Sequence, residues 1–258
     1  MLLDELPIGS VPYLNAVPLT VGLEDGLVRL CPSRLASRFK EGHLSSALLS
    51  VTEALLSPGM DILDGVAIAC RGPVYSVILA HQDPLDSIQE IAVDSASCTS
   101  VNLLRLLLRW RGLAPRLVPF SRYSSAGEIR NILLIGNPAI EFRRRQYPHH
   151  IVDLGMEWYR QTGLPFVFAV WILPRGRHSQ RLRMALRQAQ RDGLQQLDRL
   201  ATDGVEFDPV FRRRYLGGYI RYKMETDEKR GLEFFSRELT ATLGLETHPI
   251  SYSTAESS

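Results

Sequence analysis

The chain has 258 residues, of which 45% are apolar and 22% are charged, which is enough to build one or two α/β cores and argues against wholesale disorder. Its formal net charge of +2 excludes a general electrostatic attraction for nucleic acid. Three widely spaced cysteines, an N-terminus without a signal-like segment and apolar runs shorter than ~20 residues predict a cytoplasmic protein without disulfides or a membrane-spanning helix.

Short apolar segments alternate with helical patterns over about the first 170 residues. The segments are rich in Val, Ile, Leu and Phe and lack polar alternation, as expected for strands that are covered on both faces. Helices are predicted at 33–41 and 99–111, each of which is followed by a glycine. The predicted strands are 8–11, 47–49, 66–70, 75–80, 91–93, 131–135 and 166–173. This alternation indicates an α/β protein with mainly parallel sheets flanked by helices.

The last third of the chain is mostly helical. The spacing of leucines predicts a long helix over 179–200, and shorter helical patterns cover 209–215 and 228–240. Two strands, 74–80 and 166–173, are each followed by polar or proline-containing segments. A chain that leaves one lobe at the first strand and returns at the second would form a discontinuous two-lobed protein.

The polar segment 94–100, DSASCTS, lies between a predicted strand and a predicted helix. Free N–H groups at a helix N-terminus, together with Ser and Thr hydroxyls, form a cradle for a carboxylate or phosphate. The alternative is ordinary capping of the helix by Ser97 or Thr99. At the same helix start the thiol of Cys98 is expected to have a lowered pKa, although no histidine stands nearby in the sequence to form a Cys/His pair.

Polar residues also follow several other predicted strands. Ligands of open α/β sheets bind beyond the carboxyl ends of the strands, so Tyr13 and Asn15, which follow the first strand, are placed to line a cleft. Asn15 can donate and accept hydrogen bonds without bringing a charge, and a local turn is the alternative. Ser50, Gly136 and Asn137 also follow predicted strands, with a backbone-bonded hydroxyl or a simple turn as the alternative. Ser76 instead lies at the opening of the first suspected crossover strand, where it would face the cleft between the lobes, and a backbone-bonded hydroxyl is again the alternative.

Other candidate motifs are weaker. The pair at 149–150, His-His, lacks a carboxylate or thiol at ligand spacing, which argues against a metal site. The arginine triplets at 143–145 and 212–214 are typical of solvated helix faces. The sequence has neither a P-loop nor a GxGxxG motif, so ATP and NAD are unsupported as cofactors.

Six segments form an ordered set along the chain. They are IGSVPYLNAVPL (8–19), EGHLSSALLSVTEAL (41–55), ACRGPVYSVILAHQDPLD (69–86), SASCTSVNLLRLLL (95–108), LLIGNPAI (133–140) and DLGMEWYRQTGLPFVFAVWI (153–172). The most specific string is TGLPFVFAVW, in the last of them. Together they span about two thirds of the chain and resemble the chorismate dehydratases of the futalosine route to menaquinone.

The resemblance implies a fold and a reaction. The fold is that of type II periplasmic binding proteins, with one lobe made of 1–82 and 171–258, a second lobe made of 83–170 and a two-strand hinge between them. The reaction is the dehydration of chorismate, a dicarboxylate, to 3-[(1-carboxyvinyl)oxy]benzoate without a cofactor or metal. It implies no nucleic-acid, membrane or obligate protein partner. A non-catalytic small-carboxylate binding or sensor protein on the same fold is the alternative.

The resemblance also assigns roles to single positions. It implies a catalytic role for Asn15. Substrate-binding roles carry over to Ser50, Ser76, Ser97, Thr99, Ser100, Gly136 and Asn137. The family usually has Arg where this chain has Cys98 and Asp where it has Asn137, while His43 and Ser45 stand at positions that are usually acidic. The motifs contain no obvious general base, so either the substrate's own enolpyruvyl carboxylate takes the proton or Asn15 orients a group that does.

Overall fold

The computed structural model describes residues 6–93 and 98–254, so the predicted substrate-binding residue Ser97 lies outside the described residues. The strands are β1 (Ile8–Ser10), β2 (Leu27–Arg29), β3 (Ser46–Ser50), β4 (Met60–Leu63), β5 (Ile68–Cys70), β6 (Val77–His81), β7 (Glu90–Val93), β8 (Arg116–Pro119), β9 (Asn131–Ile135), β10 (His150–Asp153), β11 (Phe166–Pro174) and β12 (Tyr252–Ser253).

Helices cover most of the rest of the described chain. The α-helices are α1 (Pro32–Lys40), α2 (Val51–Leu56), α3 (Cys98–Trp110), α4 (Gly136–Arg144), α5 (Leu154–Thr162), α6 (Gln180–Gln195), α7 (Leu197–Thr202), α8 (Pro209–Arg214) and α9 (Thr226–Leu243). Short 3₁₀ helices cover Leu14–Leu19, Glu24–Gly26, Leu85–Ser87 and Tyr123–Glu128, and a π-helical turn covers Tyr215–Tyr219. Within residues 6–93 and 98–254, no helix combines the length and the apolar character that crossing a bilayer requires.

The described strands form two mixed sheets, which confirms the α/β prediction. The first sheet has the order β12-β4-β11-β3-β1-β2, with β5 also beside β11, and the second has the order β10-β6-β9-β7-β8. Five of the ten pairings among the described strands are parallel. The prediction of mainly parallel sheets is therefore wrong. The reason is that β11 and β6 run antiparallel to their neighbours on both sides.

The second sheet is inserted into the chain of the first. The chain leaves the first sheet after β5 and rejoins it at β11, so we call the first sheet and its helices the first lobe and the second sheet and its helices the second lobe. The strand β6 lies in the second sheet and β11 lies in the first. The boundaries near residues 82 and 170 stay a prediction.

The first crossing between the lobes, residues 71–76, is fixed by one carboxylate. Asp153 accepts hydrogen bonds from the backbone N–H groups of Val74 (3.0 Å) and Tyr75 (2.8 Å), and it caps α5 through the N–H of Met156 (3.1 Å). Tyr75 has a φ of +67°, a conformation that is unfavourable for a side chain of this size. Since the strained residue directly precedes Ser76, the carboxylate helps to place that serine.

The string TGLPFVFAVW contributes mainly to the apolar core. Gly163 ends α5 with a φ of +68°, and the following residues form β11. Phe166 packs against Trp158 and Phe235, with ring centroids 5.0 and 4.9 Å apart. All three rings are buried, so the string joins α5, β11 and α9 into one apolar core.

The helix predicted over 179–200 is interrupted. The helix α6 ends at Gln195, and α7 begins at Leu197. Near the end of α6, Gly193 lies so close to the carbonyl of Pro18 that no side chain would fit there. This close approach fixes α6 against the 3₁₀ helix Leu14–Leu19, and the break lets α7 pack against α8.

Candidate active site

A pocket between the two sheets brings six of the predicted site residues together. It is lined by residues of both lobes, and the junction of two lobes is a common place for a small-ligand site. The predicted residues that line it are Asn15, Ser50, Ser76, Thr99, Ser100 and Gly136. Its other described lining residues are apolar or aromatic, such as Leu48, Ile135 and Phe168, so the described wall of the pocket is uncharged.

The order of the strands explains this convergence. Ser50 ends β3, Gly136 directly follows β9, and Thr99 lies in the first turn of α3, which comes after β7. Asn15 lies in the 3₁₀ helix that follows β1, and Ser76 precedes β6. Because carboxyl ends of parallel strands meet at one edge of a sheet, most of these side chains point into the same crevice.

Thr99 joins the lobes through its hydroxyl group. This hydroxyl donates to Thr52 Oγ1 (3.0 Å) and accepts from the backbone N–H of Thr52 (3.0 Å). It also lies 2.7 Å from Ser50 Oγ. A hydroxyl has one hydrogen and two lone pairs, so the Thr99 hydroxyl is fully used and Ser50 is the donor in their contact. The Thr99 side chain therefore holds the pocket wall together and has no hydrogen left for a ligand.

A buried tyrosine connects two other pocket residues. Tyr215 is 0% exposed, and its hydroxyl donates to Ser76 Oγ at 2.7 Å. The Asn15 side chain also hydrogen bonds this hydroxyl, and because the phenol hydrogen goes to Ser76, the Asn15 amide is the donor in this contact. Both hydrogen bonds act to lower the pKa of Tyr215. Burial outweighs both contacts and raises this pKa well above its usual value, so the phenol keeps its proton near neutral pH.

Asn15 has one polar atom without a protein partner. Its Oδ1 is buried and makes no hydrogen bond to any described residue. A buried acceptor that stays unpaired is unfavourable. Because Asn15 lines the pocket, a ligand that brings a hydrogen-bond donor would satisfy this oxygen.

Gly136 allows the close packing of Tyr13 at the pocket. Gly136 has a φ of +59°, and a Cβ atom there would lie 2.9 Å from carbons of the Tyr13 ring. The Gly136 N–H donates to the carbonyl of Ser76 at 2.8 Å. A glycine is therefore required by both the backbone conformation and the ring contact.

Asn137 does not line the pocket, although the sequence predicts a substrate-binding role for it. Its Oδ1 accepts from the N–H of Leu14 at 3.1 Å, and its Nδ2 donates to Glu206. Both of these partners come from outside the second lobe's sheet. The observed contacts of the Asn137 amide thus join the lobes at the side of the pocket.

Charged and aromatic residues near Asn137 form a second connection between the lobes, which we call the clasp. It consists of Arg143 and Arg144 on α4, together with Glu206, Asp208 and Phe211 from the C-terminal third. Arg144 lies 2.8 Å from Asp208 and 5.6 Å from the Phe211 ring centroid. Arg143 lies 4.1 Å from the ring centroid of Tyr75, a distance at which a cation is attracted to the ring.

The expectation of a lowered pKa for Cys98 is wrong. Burial, and then the charge of Glu53, raise the pKa of this thiol to about 11. Position at a helix N-terminus favours the thiolate, but loss of solvation outweighs that effect here. Cys98 is therefore a neutral thiol near pH 7 and brings no charge to the start of α3.

Tyr215 is the residue of the site that the sequence does not reveal. It lies just after the arginine triplet 212–214, at the end of a predicted helix. It contacts Ser76, which is 139 residues away in the sequence, and no local sequence pattern predicts a contact over such a separation. The position in a π-helical turn is a feature that often accompanies functional sites, but it is visible only in the structure.

Comparison with solved structures shows the fold. Protein AF1704 from Archaeoglobus fulgidus is similar, with a TM-score of 0.73 and 18% identity over 92% of this chain and 97% of that one. The alkanesulfonate-binding protein SsuA from Xanthomonas axonopodis pv. citri has a TM-score of 0.64 and 13% identity over 96% of this chain and 98% of that one. The predicted fold of periplasmic binding proteins is confirmed.

Comparison of sequences shows the family. A family model described as menaquinone biosynthesis matches residues 6–241. The chain is also 30% identical to the chorismate dehydratase of Thermus thermophilus over an alignment of 272 residues. This alignment covers 95% of this chain and 97% of that protein. This protein is therefore a member of the menaquinone biosynthesis family.

Proposed function

We propose that this protein is a hydro-lyase that dehydrates chorismate to 3-[(1-carboxyvinyl)oxy]benzoate in the cytoplasm, in the futalosine route to menaquinone. The proposal is supported by the likeness to a chorismate dehydratase. It is carried by one structural observation, the convergence of neutral hydroxyl and amide groups from both lobes on a single pocket. We propose no cofactor, and the predictions of no nucleic-acid, membrane or obligate protein partner go with the same proposal.

The reaction removes one water molecule from the substrate. A proton leaves the ring carbon that carries the ether oxygen, and the hydroxyl group leaves the adjacent carbon with the electrons of the C–O bond. The leaving hydroxyl takes up a proton and departs as water, so that no net proton is gained or lost. The electrons of the broken C–H bond form the third double bond of the ring, which becomes aromatic. Because aromaticity supplies a strong driving force, the protein mainly has to orient the substrate and to place polar groups around the breaking bonds.

The first turn of α3 is the proposed site for one substrate carboxylate. The N–H groups at a helix start have no acceptor within the helix, and the helix dipole favours negative charge there. Cys98, Thr99 and Ser100 form this turn, and the latter two line the pocket. Thr99 would contribute its backbone N–H, because its hydroxyl is engaged with Ser50 and Thr52.

Asn15 and Ser76 are the proposed contacts of the leaving hydroxyl group. The unpaired Oδ1 of Asn15 would accept the hydrogen of this group, and Ser76 would donate to its oxygen as the C–O bond breaks. A donor that is placed where negative charge develops lowers the barrier of such a step. These roles make Asn15 the proposed catalytic residue, and Ser50 and Gly136 would shape the pocket around the ring.

The proposed proton acceptor is the enolpyruvyl carboxylate of the substrate itself. The ether linkage ties this carboxylate to the ring carbon that loses the proton, so no second molecule has to be brought into position. The described lining residues of the pocket are uncharged, which fits an acceptor supplied by the substrate. A group that is oriented by Asn15 is the alternative.

Incubation of the purified protein with chorismate tests the proposal. Formation of the aromatic product is followed by chromatography against a sample without enzyme, which corrects for spontaneous decay. We expect turnover by the wild type and a loss on the order of 10²-fold for Asn15→Ala, since it removes a polar contact in a water-poor site.

A matched control separates catalysis from folding. Asn131→Ala removes another buried amide, which lies at the far end of β9 and contacts Asp83, and it should leave turnover within about threefold at equal folding. Binding of chorismate without turnover by the wild type would contradict the lyase and favour the sensor. Near-normal turnover by Asn15→Ala would exclude a catalytic role for that residue.

A further inference from the structure

The position of Tyr215 shows a hydroxyl group built into the wall behind the pocket. Tyr215 opens the π-helical turn Tyr215–Tyr219 directly after α8. Its ring stacks on Phe211, with a centroid distance of 5.7 Å and an interplanar angle of 10°. The ring is therefore held by packing, and its hydroxyl has a defined place beside Ser76 and Asn15.

The contact with Ser76 determines what that serine can do. Ser76 Oγ accepts the hydrogen of Tyr215 at 2.7 Å, and Ser76 is itself 1% exposed. A hydroxyl that has accepted one hydrogen bond still has its own hydrogen to donate. Since Ser76 lines the pocket, this hydrogen is available to a ligand, and the donated bond from Tyr215 makes it a better donor.

The contact with Asn15 determines the orientation of that amide. The Tyr215 hydroxyl is also hydrogen bonded by the Asn15 side chain, and its single hydrogen already goes to Ser76, so the Nδ2 group of the amide is the donor that faces the phenol. The opposite atom, Oδ1, is buried and has no partner among the described residues. The amide therefore presents an acceptor, rather than a donor, to the pocket.

We infer that Tyr215 is a positioning residue that makes Asn15 an acceptor and Ser76 a donor, so that together they recognise an alcohol group on the ligand. An alcohol matches this pair because its hydrogen can go to Asn15 while its oxygen accepts from Ser76. The inference rests on the proposed function, in which this alcohol is the leaving group. It adds a residue to the site and defines the chemical group that the site selects.

Tyr215→Phe tests the inference, because it removes the hydroxyl and keeps the ring. We expect kcat for chorismate to fall about tenfold, with KM changed less than about threefold, because the lost contact matters most as the C–O bond breaks. Tyr222→Phe is the matched control: Tyr222 is also buried, and its hydroxyl has no partner among the described residues. We expect its kcat to stay within about twofold of the wild type.

A double variant shows whether Tyr215 acts through Ser76. If it does, Tyr215→Phe together with Ser76→Ala should lose clearly less kcat than the product of the two single losses, and the remaining effect of Tyr215→Phe should be the part that acts through Asn15. Independent effects that multiply would overturn the inference, and so would a Tyr215→Phe variant that behaves like Tyr222→Phe. Should Tyr215→Phe fail to fold, Ser76→Ala takes its place: a tenfold loss is expected, and a wild-type kcat would overturn the inference.

A binding measurement separates this inference from the proposed reaction. Affinities for chorismate and for the methyl ether of its ring hydroxyl are measured by calorimetry in the wild type and in Tyr215→Phe. We expect the wild type to prefer the free alcohol by about tenfold and the variant to prefer it by only about threefold, in line with the small change expected in KM. Preference without turnover would refute the lyase and keep the alcohol site, whereas turnover with equal preference in both proteins would refute the role of Tyr215.

Discussion

The pocket and the clasp both connect the two lobes, but they do so with different chemistry. In the pocket, uncharged groups such as Thr99 and Ser50 meet at 2.7 Å in a largely buried wall. In the clasp, Arg144 and Asp208 form an ion pair between exposed side chains. Buried hydrogen-bonding groups are costly when their partners are removed, whereas exposed ion pairs contribute little and are screened by salt. From this difference we expect substitutions in the pocket to cost more stability and activity than substitutions in the clasp.

The largest effect is expected at Gly136, where the backbone and a ring both exclude a side chain. Gly136→Ala should lower the free energy of unfolding by about 2 kcal/mol and reduce turnover more than about tenfold, because Tyr13 must move. Chemical denaturation and chorismate turnover measure the two effects. Gly163→Ala is the control, since Gly163 has a φ of +68° but open space around its Cβ position. Equal losses of turnover in the two variants would show that the Tyr13 contact is unimportant.

A smaller effect is expected from Thr99→Val, which removes the shared hydroxyl and keeps the shape. The N–H of Thr52 and the hydroxyl of Ser50 then lose their partner. We expect a loss of about 2 kcal/mol in unfolding free energy and a loss of turnover of less than tenfold. A fully stable variant would mean that the pocket wall does not depend on this hydrogen-bond network.

Substitutions in the clasp should change stability and turnover still less. A double-mutant cycle with Arg144→Ala and Asp208→Ala should give a coupling energy of about 0.2–1 kcal/mol that disappears at high salt. Turnover should change less than about threefold. A salt-independent coupling above about 2 kcal/mol would make the clasp equivalent to the pocket and would remove the contrast between them.

The smallest effect is expected for the chemical reactivity of Cys98, the thiol at the start of α3. With a pKa of about 11, only ~0.1% of Cys98 is thiolate at pH 8, so iodoacetamide should modify it very slowly. The rate should rise about tenfold per pH unit up to that pKa. Mass spectrometry of a Cys31→Ser protein follows this site, because Cys31 is exposed and Cys70 is buried. Rapid modification at pH 7 would contradict the raised pKa.

The sequence predicts the positions of the pocket residues better than their contacts. Because strand ends are recognisable, Asn15 and Thr99 are predicted beyond strand ends and Ser76 at the opening of a crossover strand, and the structure brings all three into one pocket. Their roles stay predictions. The sequence does not reveal that the Thr99 hydroxyl is already satisfied, because this depends on partners some 47 residues away. The same holds for Asn137, whose amide binds Glu206 across 69 residues.

The fold, like the site, is predicted only in part from the sequence. Strongly apolar strands such as β9 and β11 are predicted nearly to the residue, while the short strands β2, β4, β8, β10 and β12 are missed. Short strands carry too few residues for a periodic pattern to be recognised. The raised pKa of Cys98 is missed for a different reason: a helix start is visible in the sequence, but burial and the nearby charge of Glu53 are not.

A crystal structure of Asn15→Ala with chorismate bound would test the central proposal most directly. We predict that the density lies in the pocket between the sheets, with one carboxylate at the N–H groups of Thr99 and Ser100 and the ring hydroxyl within hydrogen-bonding distance of Ser76. Chorismate bound outside this pocket, or bound within it with the hydroxyl turned away from Ser76, would contradict the proposed chemistry.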